Sequence, residues 1–278
     1  MPWWCLAEAC ARLPADIAEG TGVATIGRVE SLWRYPVKSM RGEQLNEAFV
    51  GYAGVHGDRL YAFGSTKSPA GFPYLTGREN RAMVTYAPRF VHPDRALLPP
   101  NFAEARALAE VLAAAPPAVA DMALEVELPD GRVMAIDDPA LAQELGSDQP
   151  PMRSDKAITD CRPVSLFSIQ TAQKLGGELG RAIDQRRFRA NLYLDLEGSE
   201  GFAEDGLAGT AVKIGKDVVI QVIDRDPRCA MITLDPDTGA RDFDVLKTVT
   251  AGHEGFAGVY GAVLAEGIVR PGDTVQRL

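Results

Sequence analysis

Cysteine is scarce in this 278-residue chain. The four cysteines, Cys5, Cys10, Cys161 and Cys229, form no CxxC pair, no zinc spacing and no ferredoxin-type CxxxxCxxC run. That excludes a secreted disulfide framework and predicts a reducing, cytoplasmic compartment. Histidine is scarcer still: His56, His92 and His253 are too widely spaced for a metal-ligand motif. Positive charge is in deficit, with a net charge of −9. Non-specific nucleic-acid binding needs many cations to displace counterions, so nucleic acid is excluded as a partner, although a local basic pocket for a small anion is not. No apolar run approaches the ~20 residues that cross a bilayer, which excludes a membrane-spanning helix. Residues 1–22 lack the basic and apolar regions of a signal peptide and are expected to be an extension. GxGxxG, P-loop and GxSxG motifs are also missing, and with them the signatures of dinucleotide, nucleoside triphosphate and serine-hydrolase sites.

What is present is a succession of short apolar stretches punctuated by glycine and proline. "VATIGRVESLWRYPVKS" reads as a strand running into a loop, and "EQLNEAFVGYAGVHGDRLYAFG" as two strands about a Gly-rich turn. "RAMVTYA" reads as a further short strand. "NFAEARALAEVLAAA" is helical by composition and is stopped by Pro116-Pro117. "ALEVELPDGRVMAI" has the pattern of a hairpin turning at "PDG". "DDPALAQELG" reads as a capped helix ending at Gly146. The polar, Pro-rich "SDQPPMRSDK" is expected to be a connector. Strands are expected at "PVSLFSI", "FRANLYLDL" and "AMITL", a helix at "QTAQKLGGELG", and a hairpin at "TAVKIGKDVVIQVI". Many short strands and few helices predict a mainly β chain with attached helices (α+β), built as barrels.

Candidate chemistry gathers at the loop–strand junctions. Cys229 lies between a proline turn and an apolar run, and the local sequence leaves it open as a buried small hydrophobe, a nucleophile or a metal ligand. Arg228 precedes it, and a guanidinium beside a thiol generally favours thiolate. Pro227 is expected to set Cys229 near the start of a strand. Lys38 and Ser39 follow the bend at Pro36, a pairing that suits a phosphate or a polar heterocycle. Arg59 follows a Gly-Asp turn, and Arg189 stands two residues before Asn191 at a strand mouth, where a guanidinium grips anions bidentately. Each alone reads equally as a solvated charge or a surface pair. Cys161 and Arg162 precede Pro163 at a further strand entry. "LDPDTG" has two aspartates at alternate positions but lacks the closing glutamate of a calcium loop, and is expected to be a turn. Taken together, one thiol and several cations suit a polyanionic cofactor with a soft metal.

The ordered strings "LWRYPVKSMRGE", "GVHGDRLYAF", "LTGREN", "RRFRANLYLD", "DRDPRCAMITLDPDTG" and "GIVRPGDTV" resemble MOSC proteins that carry the MOSC N-terminal β-barrel domain, in the amidoxime-reducing-component and YcbX-like branch. The resemblance implies an N-terminal barrel domain over 23–148 and a MOSC domain over 149–278, with a molybdenum–molybdopterin cofactor between two β-rich lobes. It implies that Cys229 ligates molybdenum and serves catalysis, and that Lys38, Ser39, Arg59, Cys161, Arg162, Arg189, Asn191 and Arg228 contact the cofactor. The implied reaction is reduction of N-hydroxylated small molecules, with electrons from a separate ferredoxin- or flavoprotein-type donor, since no ferredoxin-type cysteine set follows. The alternative is a sulfur carrier that receives a persulfide on Cys229 from a cysteine desulfurase. Two positions depart from the family pattern: Met40 replaces a cysteine of some relatives, and Val259 replaces a polar residue, which puts the polarity of the substrate pocket in question.

Overall fold

The computed structural model describes residues 24–69, 71–107 and 119–278. The expected extension at 1–22, with Cys5 and Cys10, and the second half of the helix expected over 101–115 lie outside these residues. The strands of the first half are β1 (Ala24–Arg34), β2 (Glu43–Leu45), β3 (Ala48–Gly51), β4 (Gly54–Val55), β5 (Tyr61–Ala62), β6 (Ala87–Phe90), β7 (Leu124–Glu127), β8 (Val133–Ala135) and β9 (Met152–Arg153). Those of the second half are β10 (Val164–Ser168), β11 (Leu192–Leu196), β12 (Ala211–Ile214), β13 (Val218–Pro227), β14 (Phe256–Ala265), β15 (Gly267–Val269) and β16 (Thr274–Arg277). Among the described residues there are four α-helices: α1 (Phe102–Ala107), α2 (Pro139–Leu145), α3 (Ile169–Leu179) and α4 (Phe243–Gly252).

Seven strands close a barrel in the order β11-β10-β14-β13-β12-β16-β1, and β1 returns to pair with β11. All neighbours are antiparallel except β10 and β11. Closure removes the exposed edges that an open sheet of this size would carry. β1 alternates because its inward positions, among them Val29 and Leu32, join the barrel core with Leu166, Leu194, Ile220 and Val259. Each such aliphatic side chain contributes roughly 1.5–3 kcal/mol by leaving water. Gly27 lets β1 approach β11: a Cβ there would stand 2.1 Å from the Asp195 carbonyl oxygen.

A second core, with Val37, Met40, Phe63, Met83, Leu124 and Leu141, fills the lobe built by residues between β1 and β9. Three small sheets serve that lobe: β15-β3-β4, β5-β9 and β6-β7-β8. Strand β15 joins it from the far end of the chain, as β1 joins the barrel from the near end. Helices α3 and α4 cover one side of the barrel through Leu175, Val245 and Val249, which pack with Phe167 and Phe188.

Several local expectations hold. Asp138 caps α2 by accepting from the Ala140 amide, Pro139 opens the helix, and Gly146 ends it in the left-handed region at φ 77°. The "PDG" hairpin joins β7 to β8. Others are corrected. "RAMVTYA" does not pair as a strand over its first five residues; Arg81–Thr85 is a 3-10 helix capped by Asn80. "AMITL" is likewise a 3-10 helix, Ala230–Thr233. Both runs are apolar because one side of a short helix is buried, and over five residues that pattern matches a strand. The connector "SDQPPMRSDK" contains β9, which pairs with β5. The stretch expected to give two strands is divided into four short ones, β2 to β5.

Candidate functional site

Loops from both lobes meet at one end of the barrel around a cavity of about 90 Å³. Lys38, Ser39, Arg59, Arg162, Arg189, Asn191, Arg228 and Cys229, chosen from sequence, all line it. Cys161 does not; it is solvent-exposed beside the wall, between Asp160 and Arg162. Residues more than 200 positions apart, Lys38 and Tyr260 among them, are brought together because the first lobe sits on the loops that enter β10 and β11 and leave β13.

The backbone at this cavity is unusual. Ser39, Arg59 and Arg189 hold φ of 67°, 47° and 53°, in a region that side chains other than glycine avoid. Such conformations cost of order 1–3 kcal/mol each and persist where the surroundings over-determine them. Here the Arg59 amide donates to the Tyr35 carbonyl at 2.7 Å, and the Arg189 amide to the Arg186 carbonyl at 3.1 Å. Both guanidinium groups lie over the Tyr35 ring, at 4.8 and 4.3 Å. Arg59 pairs with buried Asp58 at 2.5 Å and donates to the Arg189 carbonyl at 2.9 Å. Asp58 in turn accepts from the Tyr35 amide. Arg189 has no carboxylate partner among the described residues. It donates to the Met40 carbonyl through Nη1, while its buried Nη2 has no hydrogen-bond partner. Burial, with Arg59 nearby, brings its pKa down to about 10, so it stays charged at neutral pH.

Lys38 is buried, and that burial lowers its pKa against the opposing pull of Asp160, with which it pairs. Its Nζ also donates to the Ile158 carbonyl at 3.0 Å. Asn191 is fully buried and ties Ser165 to the Trp33 carbonyl. Arg162 reaches exposed Asp224 at 3.2 Å.

Cys229 is half-buried and stands immediately before the 3-10 helix. Pro227 closes β13 rather than opening a strand, so the thiol sits on the turn where the chain leaves the barrel. The Arg228 guanidinium is not aimed at the thiol. It donates to the Ala257 and Phe188 carbonyls at 2.6 and 2.8 Å and pairs with Asp226 at 2.8 Å, acting as a strut beneath the cavity. Burial pushes the Asp226 carboxyl up to about 6, opposed by Arg228 and by a hydrogen bond with Tyr260. The Tyr260 hydroxyl is pushed up in turn by burial and by Asp226.

Sequence reading missed Thr76, Arg78, Asp160, Arg187, Asp226 and Tyr260, which also line the cavity. Asp160 and Asp226 stand close to chosen residues in the sequence, and only the pairing of Asp160 with Lys38 and the burial of Asp226 against Arg228 single them out. Arg187 braces the thiol turn, donating to the Thr233 carbonyl at 3.0 Å and pairing with Asp235 at 3.1 Å. The "DPDTG" stretch is a turn, as expected: Asp235 Oδ1 accepts from the Asp237 and Thr238 amides and from the Thr238 hydroxyl. Val259 lies wholly within the barrel core, so it does not set the polarity of the cavity; its neighbour Tyr260 faces the site. No group of three or more His, Cys, Asp or Glu among the described residues is arranged to hold a metal. The cavity therefore offers one thiol within a cationic wall of seven Lys and Arg against two aspartates.

The family model described as the MOSC domain matches residues 153–276, and the one described as the MOSC N-terminal beta barrel domain matches residues 26–98. Mitochondrial amidoxime reducing component 2 of Rattus norvegicus is 31% identical over 135 residues, which is 44% of this chain and 38% of that protein. The chain thus aligns with well under half the length of that relative. Among solved structures, the YUAD protein from Bacillus subtilis covers 92% of this chain and 97% of its own at 13% identity and a TM-score of 0.47. YiiM from Geobacillus stearothermophilus covers 42% of this chain and 54% of its own at 20% identity and a TM-score of 0.34. The cavity is lined from both matched segments, and the chain is a MOSC protein in which a MOSC N-terminal beta barrel domain precedes the MOSC domain.

Proposed function

We propose that the chain is a molybdenum-cofactor oxidoreductase that reduces N-hydroxylated small molecules with electrons from a separate donor protein. The observation that carries this reading is the sharing of one cavity by the Cys229 thiol, Lys38, Arg59 and the unpaired Arg189. These residues fit the group. A buried Arg189 Nη2 without a partner calls for an acceptor, the cationic wall suits a phosphate ester of charge about −1.5 to −2, and a single thiolate suits a soft metal. When bound, the cofactor supplies two-electron chemistry at the metal. The chain's own part is to bind, orient and protonate. Cys229 provides sulfur, and Arg59, Arg189 and Lys38 neutralise and fix the anionic end. Reduction of N–OH to N–H consumes two electrons and two protons and releases water. The Asp226 carboxyl and the Tyr260 hydroxyl, hydrogen-bonded to each other on the cavity wall, are placed to hold protons for that demand. The name of the amidoxime-reducing relative points to the same substrate class.

The test is molybdenum and pterin content of the full chain purified from a molybdopterin-competent host, together with amidoxime reduction driven by a chemical reductant. Wild type is expected to carry near-stoichiometric molybdenum, and Cys229→Ala to lose at least about tenfold in metal content. A Cys229→Ala protein with full molybdenum, or a wild type without any, overturns the reading. A metal-free wild type that takes up a persulfide on Cys229 from a cysteine desulfurase would establish the sulfur carrier instead.

A further inference from the structure

A second cavity, of about 190 Å³, lies against the first. Arg187, Arg189 and Met231 belong to the walls of both. Its volume is several times the roughly 30 Å³ that a water occupies in the liquid. Its lining combines the apolar Trp33, Val84, Leu234 and Pro236 with Arg41, Arg186, Arg187 and Arg189.

The charges there are unequally satisfied. Arg186 is held by Asp184 and Asp237, at 2.6 Å each. Arg187 is held by Asp235. Arg41 reaches Asp237 only loosely, at 3.4 Å to the carbonyl and 3.7 Å to the carboxylate, and its buried Nε has no hydrogen-bond partner. Arg189, with no ion pair and an orphaned Nη2, contributes the uncompensated charge. Four guanidinium groups thus face three carboxylates, which leaves one positive charge. Two buried N–H donors without acceptors, on two different arginines lining one cavity, are costly unless a ligand meets them.

We propose that this second cavity binds a small aromatic monocarboxylate. Its carboxylate accepts from Arg41 Nε and from Arg189, in the planar geometry that guanidinium favours, and displaces the long Arg41–Asp237 contact. Its ring packs on the apolar lining residues Trp33, Val84 and Leu234. Gly42 belongs to the same wall and packs on Tyr35, where a Cβ would stand 2.4 Å from the ring, so the loop bearing Arg41 is fixed in place. Because Arg189 is the charge that both cavities share, an anion in the first weakens the hold on an anion in the second, and the reverse. The test in cofactor-free protein reads the second cavity alone, so its outcome does not depend on the function proposed for the first.

The probe is 1-naphthoate, titrated into the full cofactor-free chain by calorimetry and by amide NMR, with 1-naphthylmethanol as the uncharged control. Saturable binding is expected, with shifts centred on the Gly42 and Gln44 amides and at least tenfold weaker binding of the alcohol. Arg41→Gln should weaken naphthoate at least tenfold. Lys38→Gln, which touches the first cavity alone, should leave it within about twofold. Inorganic phosphate should weaken it further in wild type. Absence of binding, equal binding of the alcohol, or binding lost in Lys38→Gln but kept in Arg41→Gln each overturns the proposal. The NMR shifts in wild type decide the matter if Arg41→Gln fails to fold.

Discussion

Individual residues in this chain carry ionisable groups into places where water does not follow. His56 is the clearest case outside the site: burial, with the Arg34 guanidinium nearby, lowers its pKa to about 4, and its buried Nε2 has no hydrogen-bond partner. The unfolded imidazole takes its proton near pH 6.5 and the folded one near 4. Stability from this group is therefore fully present above pH 6.5 and is lost as pH falls toward 4. At about 1.36 kcal/mol per pKa unit the loss amounts to about 3 kcal/mol. Urea denaturation at pH 4.5 and 7.5 should show this fall in wild type and a correspondingly shallower one in His56→Gln; identical pH slopes would refute the assignment. Arg189 shows the complementary strategy, remaining charged because Tyr35 lies under its guanidinium.

At the scale of elements, the short turns fix the site more than the helices do. The turn after the thiol depends on Gly239, which holds φ 68° and packs so closely that a Cβ would stand 2.8 Å from the Arg81 carbonyl oxygen. Gly239→Ala combines a left-handed penalty with a backbone clash across the two lobes, and should cost about 2 kcal/mol or more. Thermal or chemical denaturation measures it, and a variant as stable as wild type would show that the contact yields. Asp235, Arg187 and the end of the 3-10 helix carrying Met231 are tied to that turn by hydrogen bonds. The sequence announced it through Pro236 and Gly239, but not the helix beside it. Five apolar-rich residues do not distinguish a buried 3-10 turn from a strand, and tertiary burial made the choice at both 81–85 and 230–233.

At the scale of the whole molecule, strands are exchanged between the ends of the chain. β1 completes the barrel of the second half, and β15 adds to a sheet of the first. The cavity is lined from both lobes, including the loop that follows β1 and the entries to β10 and β11, so its geometry depends on barrel closure. Gly27→Ala places a Cβ 2.1 Å from the Asp195 carbonyl oxygen and should cost about 2–4 kcal/mol, since neither strand can withdraw without breaking its ladder. Urea midpoints of the two proteins test this, and a change below about 0.5 kcal/mol would mean that β1 is not held as closely as the register indicates.

The sequence by itself determined the class of the fold, the capped helix at 139–145, the turn at 235–239 and the string of residues that assemble at the cavity. These follow from period, caps and turn chemistry, which act over a few neighbours, and from motifs whose order along the chain is distinctive. Tertiary structure alone decided that Arg228 is a strut to Asp226, that Cys161 stays outside the wall while Asp160 enters it, and that Val259 belongs to the core and Tyr260 to the site. It also decided that Arg41 and Arg189 keep donors without acceptors. Each of these depends on which distant backbone or carboxylate a side chain meets, and on how far water is excluded where they meet. No local pattern encodes either, because both are set by strands that pair across more than a hundred residues.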